Sequence, residues 1–338
     1  MPRLRRTNCS NPGIRRRRRG RGSQYIHPDG TAVKEPAVLR RIEQLAIPPA
    51  WREVWICGDE RGHLQATGID TAGRKQYLYH EQWRRHRDRL KFESMLEFAR
   101  ALPRVRARVA DDLEGPELSA PRVLACAVRL LDLGFFRIGS EEYAERNGSY
   151  GLTTIRKEHV TVRDGCAVFD FTAKGGARRV QAIDDAVALE VVRALRRRRG
   201  GSDQLLAHRV GRHWHDVSAD EVNQYLKGIA RGDFSAKDFR TWNATVLAAV
   251  ALAVDAPQAG SSSARRSAAR AAIRSVANTL GNTPAVCRGS YVDPRVIDRY
   301  LAGSTIGHVL GAAGRDPDLD RPAVRRRIER AVIELLQD

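Results

Sequence analysis

The sequence predicts an α+β protein: a small β-rich N-terminal domain followed by a larger, mainly helical domain that carries a β-hairpin. Three observations predict it. Between Gln24 and His80, short runs of β-type residues are separated by turn signals at Pro28-Asp29-Gly30 and Gly58-Asp59-Glu60-Arg61-Gly62. From Glu81 onward the helical period takes over. A second β-patterned stretch, Glu158 to Ile183, lies among these helices. The expected partition is residues 1–23 as a disordered basic arm, 24–90 as the β-rich domain and 91–338 as the helical domain.

Taken in order, the arm is low in complexity and has Arg15 to Arg19 unbroken. Like charges at this density repel and have nothing apolar to fold around. Glu35 to Leu45 reads as a helix stopped by Pro48-Pro49. Arg52 to Cys57 and Gly62 to Thr67 read as strands. In Gly73 to His80, alternation puts Gln76, Leu78 and His80 on one face and Lys75, Tyr77 and Tyr79 on the other. Cations and tyrosines on one strand suit a nucleic-acid groove; a solvated edge strand with tyrosines packed flat is the competing reading.

Glu81 to Leu90, Phe92 to Leu102 and Arg104 to Leu113 read as three helices, with a hinge at Leu90-Lys91-Phe92. Pro121 to Leu133 carries an apolar stripe (Val123, Leu124, Ala127, Leu130, Leu131) and reads as a core helix ended by Gly134. Arg137 then stands among Phe135, Phe136 and Ile138. Burying a guanidinium is costly without an anion, so Arg137 reads either as an anion ligand or as half of a structural pair with a glutamate such as Glu141 or Glu142. Ser140 caps the short helix that follows.

In the second β stretch, the turn Ala173-Lys174-Gly175-Gly176 offers Lys174 at a hairpin tip that can enter a groove, although taken alone an ordinary exposed turn lysine is the commoner reading. Asp184 to Arg199 is a helix with a cationic end suited to the helix dipole. Ser218 to Glu221 forms a capping box. Lys237 and Arg240, three apart at the start of an alanine-rich helix, can converge on one anion. Residues 257–263 read as a flexible link, and Asp320-Arg321-Pro322 opens a last helix.

Composition narrows the function. Lys+Arg 59 against Asp+Glu 40 gives a net charge of +19, which calls for a polyanionic partner, most simply nucleic acid. No apolar run spans a bilayer and no signal-peptide core is present, so no membrane partner and a cytoplasmic location are expected. The five cysteines (Cys9, Cys57, Cys126, Cys166, Cys287) form no C-x-x-C pair and read as free thiols, with Cys287 a small buried residue. No Walker-type glycine loop exists, so no nucleotide cofactor is expected. His213-Trp214-His215 is too close-spaced for a helical metal pair and reads as lacking carboxylate or cysteine partners, so no metal and no cofactor are expected.

The stretch Leu280 to Tyr291 holds the remaining chemistry. An alanine-rich helix from Ala264 to Thr279 leads in, and Gly281 is placed to stop it in the left-handed conformation. Asn282, Thr283 and Ser290 are short polar residues of the kind that line a phosphate. Asp293 and Pro294 read as N-cap and first residue of the next helix. Tyr291 therefore sits just before a helix, either as a buried tyrosine or as a nucleophile. A tyrosine with several separated cations suffices for metal-free phosphodiester transfer. A free phenol has a pKa of about 10; nearby cations favour the phenolate and stabilise the charged phosphorus centre. Arginine suits this because its planar fork meets two oxygens and stays charged.

These motifs, in this order, resemble those of the type IB DNA topoisomerases, in particular the compact poxvirus-like bacterial branch. The resemblance runs from about Gln24 to about Leu310. It rests on Gly73 to Tyr79, Phe136 to Gly139, Phe171 to Gly175, Lys237 to Thr241, and Gly281 to Pro284 with Tyr291. It implies a clamp, acting as a monomer, that closes on duplex DNA and relaxes it through a 3′-phosphotyrosyl intermediate. It further implies Tyr291 as nucleophile, Arg137 and Arg240 as the pair on the scissile phosphate, Lys174 as general acid and Lys237 as a phosphate contact. Arg74, Lys75, Gln76, Tyr77, Tyr79 and Tyr143 fall where the family touches DNA. Many relatives have histidine where this chain has Asn282, so Asn282 is expected to orient and stabilise by hydrogen bonding, without carrying charge.

Two rivals share parts of this pattern. Tyrosine recombinases use similar chemistry but usually place His-x-x-Arg where this chain has Lys237-Asp238-Phe239-Arg240. A DNA-architectural protein would account for the charge and the arginine arm, but not for Arg137, Lys174, Arg240 and Tyr291 in this order.

Overall fold

The computed structural model describes residues 3–20, 22–256, 260–310, 319 and 321–337. It divides into two compact units, Met1–Glu93 and Ser94–Asp338. The expected link at 257–263 lies partly outside the described residues, and Asp320 lies wholly outside them.

The first unit is built on β1 (Ile14–Arg19), β2 (Gly22–Ile26), α1 (Pro36–Gln44), β3 (Arg52–Ile56), β4 (Leu64–Ile69) and β5 (Lys75–Tyr79). Its sheet has the order β2-β1-β3-β4-β5 with antiparallel neighbours. Ile14, Val33, Ile42, Ile47, Val54, Ile56 and Ala66 form the core, with Leu78 packed against it. The free face of β5 carries Lys75, Tyr77 and Tyr79, as the alternation predicts.

The expected disordered arm is corrected here. The arginine run is a paired strand, with Arg15 to Arg19 opposite Ile26 to Gly22. Backbone pairing is indifferent to side-chain charge where the side chains point to water. Ile14 is buried, and Arg16 donates to the carbonyls of Pro48 (2.9 Å) and Trp51 (2.7 Å). Upstream, the Thr7 hydroxyl donates to the Leu64 carbonyl at 3.1 Å. These partners lie more than 30 residues away in sequence, beyond the reach of a local reading.

Helix α2 (Glu81–Leu113) replaces the three expected helices. It runs unbroken through the expected hinge at Leu90-Lys91-Phe92 and through Pro103, and the division between the two units falls within it. Proline inside a helix costs about 3 kcal/mol. The buried stripe Phe92, Met95, Leu96, Phe98, Ala99, Leu102, Val105 and Val109 outweighs that cost.

The second unit continues with α3 (Ala120–Gly134), α4 (Glu141–Asn147), β6 (Val160–Arg163), β7 (Cys166–Thr172), β8 (Arg178–Ile183), α5 (Ala186–Arg197), β9 (Ala207–Val210), β10 (His213–Asp216), α6 (Ala219–Ala230) and α7 (Ala236–Asp255). It closes with α8 (Ser262–Leu280), α9 (Pro284–Ser290), α10 (Pro294–Leu301), α11 (Gly307–Leu310) and α12 (Pro322–Gln337). The expected core helix α3 packs against α5, α6, α7 and β8. Its left-handed end residue is Phe135 (φ 54°) rather than Gly134. Gly134 is needed for space, because a Cβ there would lie 2.2 Å from the Phe136 ring. Helix α7 packs against α8, α10, α11 and α12.

A buried ion network ties α2, α3 and α12 together. Asp132, 3% exposed, meets Arg106 at 2.8 Å and Arg325 at 2.7 Å; Glu329 meets Arg106 at 2.6 Å. Burial alone would push the Asp132 carboxyl up, but Arg325 and Arg106 outweigh it and hold its pKa down to about 2. Removing one member of such a network strands the others, at a cost of about 3–5 kcal/mol. Asp132→Asn is therefore expected to lower denaturant stability by that amount at pH 7. Because the folded pKa lies below the unfolded value of about 4, this contribution is full above pH 4 and is lost as pH falls through 2. An equal effect of Asp132→Asn at pH 7 and pH 2 would contradict the assignment.

Candidate active site

The site is assembled around the C-terminal end of α8. Ser261 caps the start of this helix, accepting from the Ala264 N–H, and Gly281 stops it at φ 63°. The Asn282 N–H reaches back to the Ala277 carbonyl at 2.9 Å, a Schellman-type closure. The carbonyls of the last turn still face outward with the negative end of the helix dipole, and a negative end draws cations. Three arginines answer. Arg179 of β8 donates to the carbonyls of Asn278 and Thr279. Arg240 of α7 donates to the Leu280 carbonyl at 2.9 Å and to that of Phe135. Arg137 donates to the Gly281 carbonyl at 3.1 Å and to Asn282 Oδ1 at 2.5 Å.

Each arginine is held by its own element. The loop between α3 and α4 that carries Arg137 is pinned from outside: the Leu152 N–H donates to the Arg137 carbonyl and the Thr153 N–H to the Ile138 carbonyl, both at 2.8 Å. This close approach needs Gly151, where a Cβ would lie 2.5 Å from Gly139 Cα. Of the two readings of Arg137, the structural pair with a nearby glutamate is not the arrangement found; Glu142 instead pairs with Arg146. Arg240 is only 3% exposed, and its guanidinium carbon sits 5.1 Å from the centroid of the Tyr291 ring. Burial, then the neighbouring Arg137, push its pKa down to about 10 against the opposing pull of Tyr291, so it stays charged at neutral pH. Burial and Arg137 also lower Arg179.

Tyr291 follows α9, a helix the sequence reading did not single out, although Thr283-Pro284 is a fair start signal. The Thr283 side chain accepts from the Val286 N–H. The Tyr291 N–H donates to the Cys287 carbonyl at 3.0 Å, and Cys287 is buried. The Thr245 hydroxyl lies 3.3 Å from the Tyr291 carbonyl and accepts from the Asp293 N–H at 3.1 Å. The tyrosine loop is thus latched to α7, the helix that carries Arg240. Asp293 caps α10 with Pro294 first in the helix, as expected, and Arg295 closes on Asp293 at 2.7 Å.

Lys174 stands exposed in the β7–β8 turn, where Gly175 (φ 89°) and Gly176 (φ 77°) supply the left-handed conformations. Its ammonium lies 5.3 Å from the centroid of the Tyr143 ring. Arg137, Tyr143 and Lys174 line one cleft of 230 Å³ with Ser140, Tyr150 and Gly151. Arg137 therefore belongs to two groupings, one with Arg240, Asn282 and Tyr291 and one with Tyr143 and Lys174. Lys237 lies exposed in the first turn of α7, away from the buried face that carries Arg240.

In the first unit, Tyr77 (48% exposed) stacks on Tyr79 at 6.2 Å, with the Lys75 ammonium over the Tyr77 ring. Arg74 pairs with Asp70 at 2.9 Å. Gln76 lies on the opposite face of β5, and its amide is given to Asp70 at 2.9 Å.

The arrangement has the form of an anion site. Among the described residues, Arg137, Arg179 and Arg240 spend their N–H groups on neutral carbonyls and two amide oxygens, Asn282 Oδ1 and Gln181 Oε1, rather than on carboxylates. Two buried donors of this arrangement, Arg240 Nε and Asn282 Nδ2, have no hydrogen-bond partner among the described residues. An unpaired buried donor is costly, and a phosphate oxygen satisfies both charge and hydrogen bond. Arg179 was not singled out from the sequence; its signal was position, on the strand leaving the Lys174 turn.

Residues 80–301 match the family model described as eukaryotic DNA topoisomerase I, catalytic core, and residues 22–70 match that of the bacterial DNA topoisomerase IB N-terminal domain. The chain belongs to the type IB DNA topoisomerases. It is 28% identical over 303 residues to the DNA topoisomerase 1B of Acanthamoeba polyphaga mimivirus, covering 85% of this chain and 87% of that one. It is also 28% identical over 160 residues to DNA topoisomerase 1 of Schizosaccharomyces pombe, covering 47% of this chain and 19% of that longer one. Membership makes DNA the substrate and relaxation of DNA the activity. It also accounts for the net charge of +19. Among the described residues no helix is long and apolar enough to cross a membrane.

The sequence ground for setting metal aside fails in one respect. The β9–β10 register places His208 beside His215, and Glu221 of α6 reaches both. These three residues lie on elements that carry none of Arg137, Lys174, Arg240, Asn282 and Tyr291.

Proposed function

We infer that this topoisomerase relaxes supercoiled duplex DNA without metal or ATP, by transient cleavage of one strand through a 3′-phosphotyrosyl intermediate. The observation that carries this is the desolvated Arg240 guanidinium against the Tyr291 ring, with Arg137 beside it and, among the described residues, no carboxylate paired with either. Tyr291 Oη, its proton released to water as the neighbouring cations favour the phenolate, attacks the scissile phosphorus, the new O–P bond forms, and the bond to the 5′ oxygen breaks. Arg137 and Arg240 neutralise the non-bridging oxygens, and Asn282 donates its unpaired Nδ2–H to one of them. Lys174 protonates the departing 5′ oxygen. The reverse attack by that hydroxyl reseals the strand, and because the phosphotyrosine conserves the bond energy no cofactor is consumed.

Lys237 and Tyr143 supply further phosphate and sugar contacts. Arg74, Lys75, Tyr77 and Tyr79 offer the free face of β5 to the duplex, with Gln76 behind them. The first unit, Met1–Glu93, acts as the DNA-clamp domain and the second, Ser94–Asp338, as the catalytic domain, and the enzyme works as a monomer closing on DNA in the cytoplasm at the nucleoid.

The test is relaxation of supercoiled plasmid in EDTA without nucleotide, followed by denaturant trapping of cleaved DNA. Relaxation is expected, with protein attached at the 3′ side of the nick and a 5′ end that a polynucleotide kinase labels directly. A requirement for Mg²⁺ or ATP, or protein on the 5′ end, would overturn the reading.

A further inference from the structure

Outside the tyrosine site, the hairpin β9–β10 and the start of α6 bring two imidazoles and a carboxylate to one point. His208 and His215 are directly opposed in an antiparallel pair. Opposed residues place their side chains side by side on one face, and the two rings lie 5.0 Å apart. Glu221, the third residue of α6, turns one carboxylate oxygen toward them: Oε1 is 3.1 Å from His215 Nε2 and 3.7 Å from His208 Nε2. Its other oxygen, Oε2, is held by the Ser218 N–H at 2.9 Å and the Ser218 hydroxyl at 2.7 Å. The helix cap thus fixes the carboxylate and leaves Oε1 for the histidines.

The placement of the ring nitrogens suits a cation. His208 is buried, and its Nδ1 lies 3.4 Å from the Arg209 carbonyl. An Nδ1–H given to a backbone carbonyl leaves the Nε2 lone pair facing inward, the arrangement that orients metal-ligating histidines. In that tautomer the lone pair faces Glu221 Oε1 at 3.7 Å, too long for a hydrogen bond and repulsive between two acceptors. A divalent ion between them turns repulsion into ligation. The three ligand atoms lie within 4.8 Å of one another. Zinc bonds of about 2.0–2.1 Å require the two imidazoles to close by about an ångström, and His215, 53% exposed, is free to turn. Trp214, on the other face, anchors the hairpin beneath Arg198 and Arg209.

We propose that His208, His215 and Glu221 form a binding site for a divalent transition metal of the zinc class, with water completing the coordination. Two nitrogens and one carboxylate oxygen favour zinc, cobalt or nickel over magnesium or calcium. The metal clips an isolated two-stranded hairpin, weak by itself, to the first turn of α6. It takes no part in strand transfer, so the proposal is independent of the tyrosine mechanism.

The experiment uses untagged full-length protein, stripped with EDTA and dialysed, titrated with Co²⁺ and then Zn²⁺. The expected result is a visible cobalt absorption of four-coordinate type that saturates at a single equivalent and is quenched by zinc, with a zinc-dependent rise in Tm. His215→Ala, a change at an exposed strand position, is expected to abolish the band and the Tm shift. It should weaken zinc binding by more than the about 10–100-fold lost with an outer-shell partner. His208→Ala should do the same. His27→Ala, which removes a half-buried histidine paired with Glu35 in the first unit, should leave both signals intact. Absence of a saturable band, or the same band in His215→Ala, would overturn the proposal and leave adventitious surface binding.

Discussion

Tyr291→Phe is expected to abolish plasmid relaxation while leaving the fold and duplex binding intact. The loss should approach the about millionfold scale seen when a covalent nucleophile is removed. The variant should fold because the Tyr291 backbone is held by its N–H to the Cys287 carbonyl and by the Thr245 hydroxyl beside its own carbonyl, and the substitution touches neither. A phenylalanine ring also keeps its place against Arg240. Binding should persist because Arg137 and Arg240 are unchanged. The comparison is made in EDTA without nucleotide, with affinity for a short duplex measured in parallel. Relaxation by Tyr291→Phe at the wild-type rate would remove Tyr291 from the nucleophile role.

Lys174→Ala is expected to slow strand cleavage by about 10²–10⁴-fold, the range for a lost general acid. The role makes a sharper demand. On a substrate whose 5′ bridging oxygen is replaced by sulfur, the leaving group is a thiolate that departs without a proton. Lys174→Ala should then cleave nearly as fast as the wild type. A lysine that merely attracted phosphate would give a defect of the same size on both substrates. The substitution lies on an exposed turn whose shape is set by Gly175 and Gly176, so folding is not at stake. A defect unrelieved by sulfur would assign Lys174 to binding and send the search for the acid elsewhere in the cleft it shares with Arg137 and Tyr143.

The sequence alone determined the features set by a few neighbouring residues. Gly281 stopped α8 because only the left-handed conformation closes that turn, and Asp293-Pro294 opened α10 by cap chemistry. The Ser218–Glu221 box started α6, and alternation assigned the two faces of β5. These signals are local, since backbone conformation and capping bonds depend on residues within about one turn. Local reading also misled. The arginine run read as an arm because its partners Pro48 and Trp51 are invisible at that range. Helix α2 was cut at Lys91 and Pro103 because propensity was weighed without the core that overrides it.

Only the tertiary structure decided what converges. Arg137 and Arg240 lie 144 and 40 residues from the carbonyls they hold, and each was legible only as an arginine in search of an anion. The end of α8 gathers them, with Arg179, because outward carbonyls at a helix terminus attract cations from whatever elements pack against it. The same holds for His208, His215 and Glu221, set side by side by strand register and a helix cap. A sequence specifies its ligands one residue at a time; the distance between them is fixed by packing, which is a property of the whole chain.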